Sequence, residues 1–343
     1  MNAGDLVAVV LWLGVIAYAV FGGADFGAGF WDLVAGGATK GERPRALIDH
    51  ALAPVWEANH VWLIFCLVVL WTAFPRAFTA IMTTLAVPLL LAVLGIVARG
   101  AGFAFRKVSF TTPRRRLFGA AFAISSLLTP FAMGTVAGGI ASGRVPLGNA
   151  VGNRVTSWLN PTSIMGGTLA VSTCAYLAAM FLAGDARRFG EGDLCAYFTR
   201  RAVGAAGAAG LVAFAGIFIL HADDRRLFDR LSHRALPIVI VSALCGLGAL
   251  VLLLRNRALR WAQVLAVGAV AAVIAAWGVA QYPDLLPGYL TIDQAKSSSA
   301  VLGWLVAVAA VAVVLIVPSL AMLYTLDQQS RLEDDAAAAE DVT

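Results

Sequence analysis

Three ionisable residues sit in or at the end of stretches otherwise free of charge, and they are where chemistry would have to happen. Asp25 follows the apolar run Leu6–Ala24, Glu57 interrupts the run Ala51–Pro75, and Arg99 ends the run Ala77–Ala98. A charge at the bilayer centre costs at least about 2.5–3.5 kcal/mol on insertion scales, so such groups face protein or water and mark ion or proton handling. Two carboxylates beside one guanidinium leave a surplus negative charge, which favours one bound proton. That is the charge arrangement of a proton-relay station. The structural alternative is a buried ion cluster that only fixes helix packing.

Depth decides whether the three can meet. At about 1.5 Å per residue, Asp25 lies roughly 30 Å from Leu6, Glu57 roughly 9 Å from Ala51 and Arg99 roughly 33 Å from Ala77. Successive spans alternate in direction, so all three fall toward the same membrane face, on consecutive helices. In the string Ala53-Pro54-Val55-Trp56-Glu57-Ala58-Asn59-His60-Val61-Trp62, five polar or amphipathic side chains occupy seven positions. Glu57 and His60 share a face, as do Trp56 and Asn59, so a polar seam of Trp56, Asn59, His60 and Trp62 supports Glu57 and should point into protein. Gly23 and Gly27 form a small-xxx-small pair that would admit a neighbouring backbone and bury Asp25, with Gly29 on the acid's own face.

The elements that must hold these groups follow from composition. The chain has 343 residues, 60% hydrophobic and 13% charged, with mean hydropathy +0.82. A soluble globule carries roughly twice that charged share, so an all-α integral membrane protein is predicted. Apolar runs long enough to span are Leu6–Ala24, Ala77–Ala98, Leu117–Gly143, Val155–Gly184, Ala202–Ala222, Ala235–Leu254, Trp261–Pro283 and Ser297–Leu326, with Ala51–Pro75 as a ninth broken only by Glu57. Nine transmembrane helices are expected, the first running on to about Val34. Residues 1–326 thus form one polytopic membrane domain, and the acidic, alanine-rich 327–343 a disordered tail.

The net charge of +5 could suggest nucleic acid, but the basic residues flank spans and report topology instead. Loops after the first, third, fifth and seventh spans, with the tail, hold 16 of the 25 Lys and Arg, against 8 in the alternate loops. The N-terminus is therefore predicted outside and the C-terminus inside. The first run lacks a basic region before it, so no cleavable signal is expected. Trp31, Trp56, Trp62, Trp71, Trp158, Trp261 and Trp277 fall mostly near span ends, as an interfacial belt would. Cys66, Cys174, Cys195 and Cys245 are scattered without a CxxC, which points to packing rather than a disulfide or metal site. No two histidines form a ligand face on one helix, so no metal and no haem is assigned to this chain, nor any catalytic residue.

The glycine-rich Gly23-Ala24-Asp25-Phe26-Gly27-Ala28-Gly29, the string from Pro54 to Leu63, and Arg99 followed by Gly102-Phe103-Ala104-Phe105-Arg106 together resemble subunit II of the cytochrome bd-type terminal quinol oxidases. The likeness covers essentially the whole chain. It implies two four-helix bundles plus one peripheral helix, in a bacterial cytoplasmic membrane. It further implies a pseudo-symmetric heterodimer with a subunit I that carries two haems b and one haem d and the quinol-oxidising loop. The complex would oxidise quinol at the outer face and reduce dioxygen to water with cytoplasmic protons, this chain supporting assembly. By the same resemblance Asp25, Glu57 and Arg99 lie on or beside the proton-uptake path. One departure is Glu57, where well-known members have Asp; both can carry a proton. A quinone in this subunit and small accessory subunits are left open.

Two other classes compete. A secondary transporter could use the same carboxylates for ion coupling, but the polar cluster is biased to one face and the last four spans carry no counterpart of the acids. The third reading is a purely structural scaffold in the membrane.

Overall fold

The computed structural model describes residues 2–37, 39–52, 56–108 and 112–328. The first span is continuous but irregular. α1 (Ala3–Ala17) starts at a capping box between Asn2 and Asp5, passes through a π-helical turn at Tyr18–Gly22, and continues as α2 (Gly23–Leu33). The extended first helix expected from sequence is present, and the π turn stands directly before Asp25. After a short helix α3 (Glu42–Leu52), α4 (Trp56–Ala73) and α5 (Pro75–Thr84) meet at a 120° bend.

This bend corrects one predicted span. The run Ala77–Ala98 is not one span: α5 folds back, and the third membrane helix is α6 (Ala86–Val108). The cause is Phe74-Pro75. A residue before proline avoids helical ψ, and Phe74 sits at φ −134°, ψ 57°, while Pro75 takes the first position of α5, where its missing N–H costs nothing. The buried Ala77, Ala80 and Ile81 of α5 serve a core near the membrane edge. Arg99 is thus about 20 Å into its helix rather than 33 Å. Glu57 lies on α4, and residues 53–55 before it lie outside the described residues.

α7 (Thr112–Ala141) is followed by an irregular segment to Asn160 and then α8 (Pro161–Arg188). Helix was expected from Val155, but Asn160 caps Ser163 N–H at 2.9 Å and Pro161 opens the helix, so the chain turns there instead. α9 (Gly192–Asp223), the short α10 (Arg225–His233), α11 (Leu236–Leu254) and α12 (Leu259–Gln281) follow. A two-stranded antiparallel hairpin, β1 (Asp284–Leu286) and β2 (Leu290–Thr291), leads through α13 (Ile292–Ala295) to α14 (Ser299–Gln328). The rest of the acidic tail, 329–343, lies outside the described residues.

Eight helices among the described residues are long and apolar enough to cross a membrane, or nine if the bent α4–α5 pair is one span. Their outward residues are apolar, Leu13, Ile64, Val97, Leu211, Phe218 and Val314 among them, as lipid contact requires. The tryptophans divide. Trp71 and Trp261 are exposed at helix ends, whereas Trp31 is buried and donates its indole N–H to Ala175 O at 2.8 Å, and Trp277 packs edge-on against Trp12 at 4.8 Å. Trp31 and Trp277 are packing residues, not belt residues.

Loop contacts sort the two membrane faces. Arg43 pairs with Asp193 at 2.6 Å and with Glu191, and Arg106 with Asp32, tying the connections after the first, third and fifth spans to one face. On the other face Asn2 donates to Asp293 at 3.4 Å, Arg144 reaches Asp223 at 2.8 Å, and Arg230 reaches Asp284 at 2.9 Å.

Glycine lets α2 sink against its neighbours. A Cβ on Gly27 would lie 1.9 Å from the backbone oxygen of Cys174 on α8, and one on Gly29 2.1 Å from Ser126 Oγ on α7. The Gly27 contact is with backbone and cannot be relieved by a rotamer change. Gly27→Val is therefore expected to abolish accumulation of the folded chain, whereas Gly23→Ala, whose Cβ would meet only side-chain atoms at ordinary contact distance, Cys174 Sγ at 3.4 Å and Leu177 Cδ1 at 3.9 Å, leaves it near wild type, both read by membrane-fraction immunoblot.

Candidate functional site

Asp25 and Arg99 meet. Arg99 Nη2 donates to Asp25 Oδ1 at 2.9 Å and to the Asp25 backbone carbonyl at 2.8 Å, while its Nε donates to Ser126 Oγ at 3.1 Å. Ser126 in turn donates to Phe122 O at 2.6 Å. Both side chains of the ion pair are at most 2% exposed. The guanidinium carbon lies 5.1 Å from the Phe26 ring centre and 4.8 Å from that of Phe122, so a cation forced out of water is compensated by a carboxylate, a carbonyl, a hydroxyl and two ring faces.

The second carboxylate oxygen is different. Among the described residues, Asp25 Oδ2 is buried and accepts no hydrogen bond, and neither does the nearby buried Tyr18 Oη. Tyr18, in the π turn, and His60, on α4, are both within electrostatic reach of Asp25. His60 also stands edge-on to Phe26, with ring centres 6.2 Å apart. Of the predicted seam, Asn59 is buried, His60 and Trp62 are half-buried, and Val61 between them is exposed, so its described part leans toward the protein. Glu57 and Trp56 begin α4, but their side chains lie outside the described residues.

A second ion cluster, unforeseen from sequence, continues the first. Asp32 is buried and bridges two arginines: Arg45 Nε at 2.7 Å and Arg106 Nη1. Arg106 also donates through Nη2 to Asp49. Asp32 is seven residues beyond Asp25 on α2, and Arg106 is seven beyond Arg99 on α6, two helical turns or about 10.5 Å in each case. Pairs repeating in the same order require the two helices to run parallel, as first and third spans must. Phe122 stands between the layers, 4.8 Å from one guanidinium and 5.1 Å from the other. Side-chain exposure rises along the ladder, from 1% at Asp25 through 4% at Asp32 to 36% at Asp49. Arg45 and Arg106 read as topology determinants in the sequence. The missed signal was the shared seven-residue spacing of Asp on the first span and Arg on the third.

The four histidines lie on four different helices. His50 packs on Phe189, His60 on Phe26 and His221 on Phe228, and His233 Nδ1 is 2.8 Å from Asp229 O. This donor set offers no paired axial ligands for a haem.

The model of the cytochrome bd terminal oxidase subunit II family matches residues 3–327. The chain belongs to that family. Cytochrome bd ubiquinol oxidase subunit 2 of Bacillus subtilis strain 168 is 22% identical over 253 residues, 72% of either chain. Cytochrome bd-I ubiquinol oxidase subunit 2 of Escherichia coli K12 is 27% identical over 233 residues, 64% of this chain and 59% of the relative. A chain in the structure of bd oxidase from Geobacillus thermodenitrificans superposes with a TM-score of 0.80 at 26% identity, covering 95% of this chain and 98% of the other. As a bd subunit II, the protein is a multi-pass membrane subunit of a respiratory quinol oxidase, an oxidoreductase complex. Subunit II is the non-haem subunit, and the haems are carried by subunit I.

Proposed function

We propose that this chain holds the haem-bearing subunit I in a pseudo-symmetric heterodimer in the bacterial cytoplasmic membrane, and conducts protons toward it through Asp25, Glu57 and Arg99. The observation that carries the reading is the buried Asp25–Arg99 pair, in which one carboxylate oxygen has no donor among the described residues. A pair that only fixed packing would gain from satisfying both oxygens; an oxygen kept free of donors can take up and release a proton. Arg99 donates a charge-assisted hydrogen bond to Asp25 Oδ1, which leaves Oδ2 as the oxygen that takes up and releases the proton. Glu57 adds a second carboxylate to pairs that otherwise balance one to one. The Asp32–Arg106–Asp49 cluster, grading from buried to half-exposed, forms the mouth of the route on the face that carries most basic loops.

In this reading that face is cytoplasmic, with the N-terminus outside and the C-terminus inside. Residues 1–326 act as one membrane unit of two four-helix bundles plus a peripheral helix, ending in an acidic tail. Haems b and d bound by subunit I supply the electron transfer and the dioxygen chemistry; this chain's residues hold and move protons. Small accessory subunits and a quinone held in this subunit fit the same assembly.

The test is purification of the tagged chain from its native membrane and an absorption spectrum of what accompanies it. A stoichiometric partner with b- and d-type haem bands is expected. A haem-free, self-sufficient complex would overturn the oxidase reading in favour of a transporter that uses the same acids.

A further inference from the structure

A cavity of about 410 Å³ opens where the α8–α9 and α11–α12 connections meet. It lies on the membrane face that holds the Arg43 and Arg106 ion pairs, since Gly190 and Gly192, which flank Glu191, line it. Its size falls within the roughly 300–1,000 Å³ of small-ligand clefts. Its lining is divided by chemistry. Arg187, Arg257, Asn256 and Thr199 supply donors at the rim, and Leu252 and Leu259 supply an apolar wall.

Two features make the site selective for an anion. Three arginines on this face are engaged by acids: Arg43 by Glu191 and Asp193, Arg45 by Asp32, and Arg106 by Asp32 and Asp49. Arg187 and Arg257 make no ion pair with any described residue: Asp185, the acid nearest Arg187 in sequence, pairs with Arg188 at 4.0 Å, and Glu191 and Asp193 are engaged by Arg43. The cavity therefore carries two uncompensated cations. Arg257 is also held in place by its backbone. Its N–H donates to Leu252 O at 3.1 Å and Asn256 N–H to Leu253 O at 3.0 Å, a helix-ending double bond with Asn256 at φ 50°. Ala258, just after it, is left-handed at φ 49°, a conformation that alanine rarely adopts and that marks an over-determined loop.

A third feature fixes the depth. Trp261, two residues beyond Leu259, is 67% exposed, and Leu254, one residue before Arg255, is 62% exposed. An exposed tryptophan at a helix end marks the headgroup level, and the exposed leucine below it faces acyl chains. Two free cations at headgroup level above an apolar wall match a ligand with an anionic phosphate on a hydrocarbon body. A quinone ring is neutral and would leave both arginines without a counter-charge.

We propose that this cavity is a binding site for one anionic phospholipid, its phosphate held by Arg187 and Arg257 and its acyl chain against Leu252 and Leu259. The site does not depend on the proton reading, because neither arginine belongs to the ladder.

The test uses the intact two-subunit complex in detergent, titrated with dioleoylphosphatidylglycerol and read by native mass spectrometry. Wild type is expected to retain one lipid saturably. Loss of one charged hydrogen-bond donor weakens such a contact by at least about tenfold, so R187Q and R257Q should each show that loss and the double variant no saturable binding. R114Q, which removes an exposed charge from the α6–α7 side of the same face, should bind as wild type. Equal weakening by R114Q would reduce the effect to general surface charge and overturn the site. Equally tight dioleoylphosphatidylcholine would show an apolar groove only, and displacement by inorganic phosphate alone would show a free-anion site; either overturns the proposal. Should the double variant fail to assemble, the two single variants, altered at exposed side chains, decide it.

Discussion

Arg99→Met is expected to prevent accumulation of the assembled oxidase. Arg99 is the largest fully buried side chain among the described residues, and its guanidinium satisfies Asp25 through both a carboxylate oxygen and a carbonyl. Methionine fills most of the same volume, so the loss is electrostatic: a buried carboxylate would be left without its cation. Removing one partner of a buried pair costs about 3–5 kcal/mol, a large fraction of the stability of most folded domains. Replacing both partners, Asp25→Asn with Arg99→Met, removes the uncompensated charge and should restore much of the assembled yield, because apolar replacement of a whole buried pair is often neutral. Yield by immunoblot and haem absorbance per milligram of membrane reads the first effect. Oxygen consumption by the recovered double variant reads the second, and it should be low even where haem content is normal. Normal turnover in that double variant would mean that the pair serves packing alone.

Glu57→Gln should slow oxygen reduction by the intact complex at least about tenfold with haem content unchanged, since glutamine keeps the shape of the side chain but cannot carry a proton. Glu57→Asp, shorter by one methylene, should keep most of the turnover. The contrast matters because a packing role would rank the variants the other way: glutamine is the closer fit in volume, aspartate the closer fit in chemistry. Full activity in Glu57→Gln would sink the relay and leave the buried ion cluster as a structural device.

Much of the site was legible in the chain itself, for a reason particular to membranes. Hydrocarbon makes charge expensive, so a buried ion stands out against an apolar run, and Asp25 and Arg99 were found that way and do meet. The polar seam on α4 was legible for the same reason, and Asn59 and His60 face inward as their spacing required. The Phe74-Pro75 break was written in the sequence as plainly as any turn signal, yet continuous hydropathy on both sides hid it. A bilayer rewards apolar residues in a folded-back limb and in a span alike, so composition could not say which of the two α5 was.

The sequence by itself determined that this is a membrane protein, roughly where its spans lie, and that few charges enter them, because those properties are sums over residues of transfer energies. Only the tertiary structure decided what those charges touch. Asp32 drew no attention in the sequence and Arg106 counted as a topology signal, but α2 and α6 stand parallel against α7, with Phe122 between their two ion pairs. Helical periodicity tells which residues share a face, but not which neighbour that face meets. Here the neighbour is chosen by Gly27 and Gly29, where the absence of a Cβ lets α8 and α7 approach closely enough for one buried acid to find its arginine.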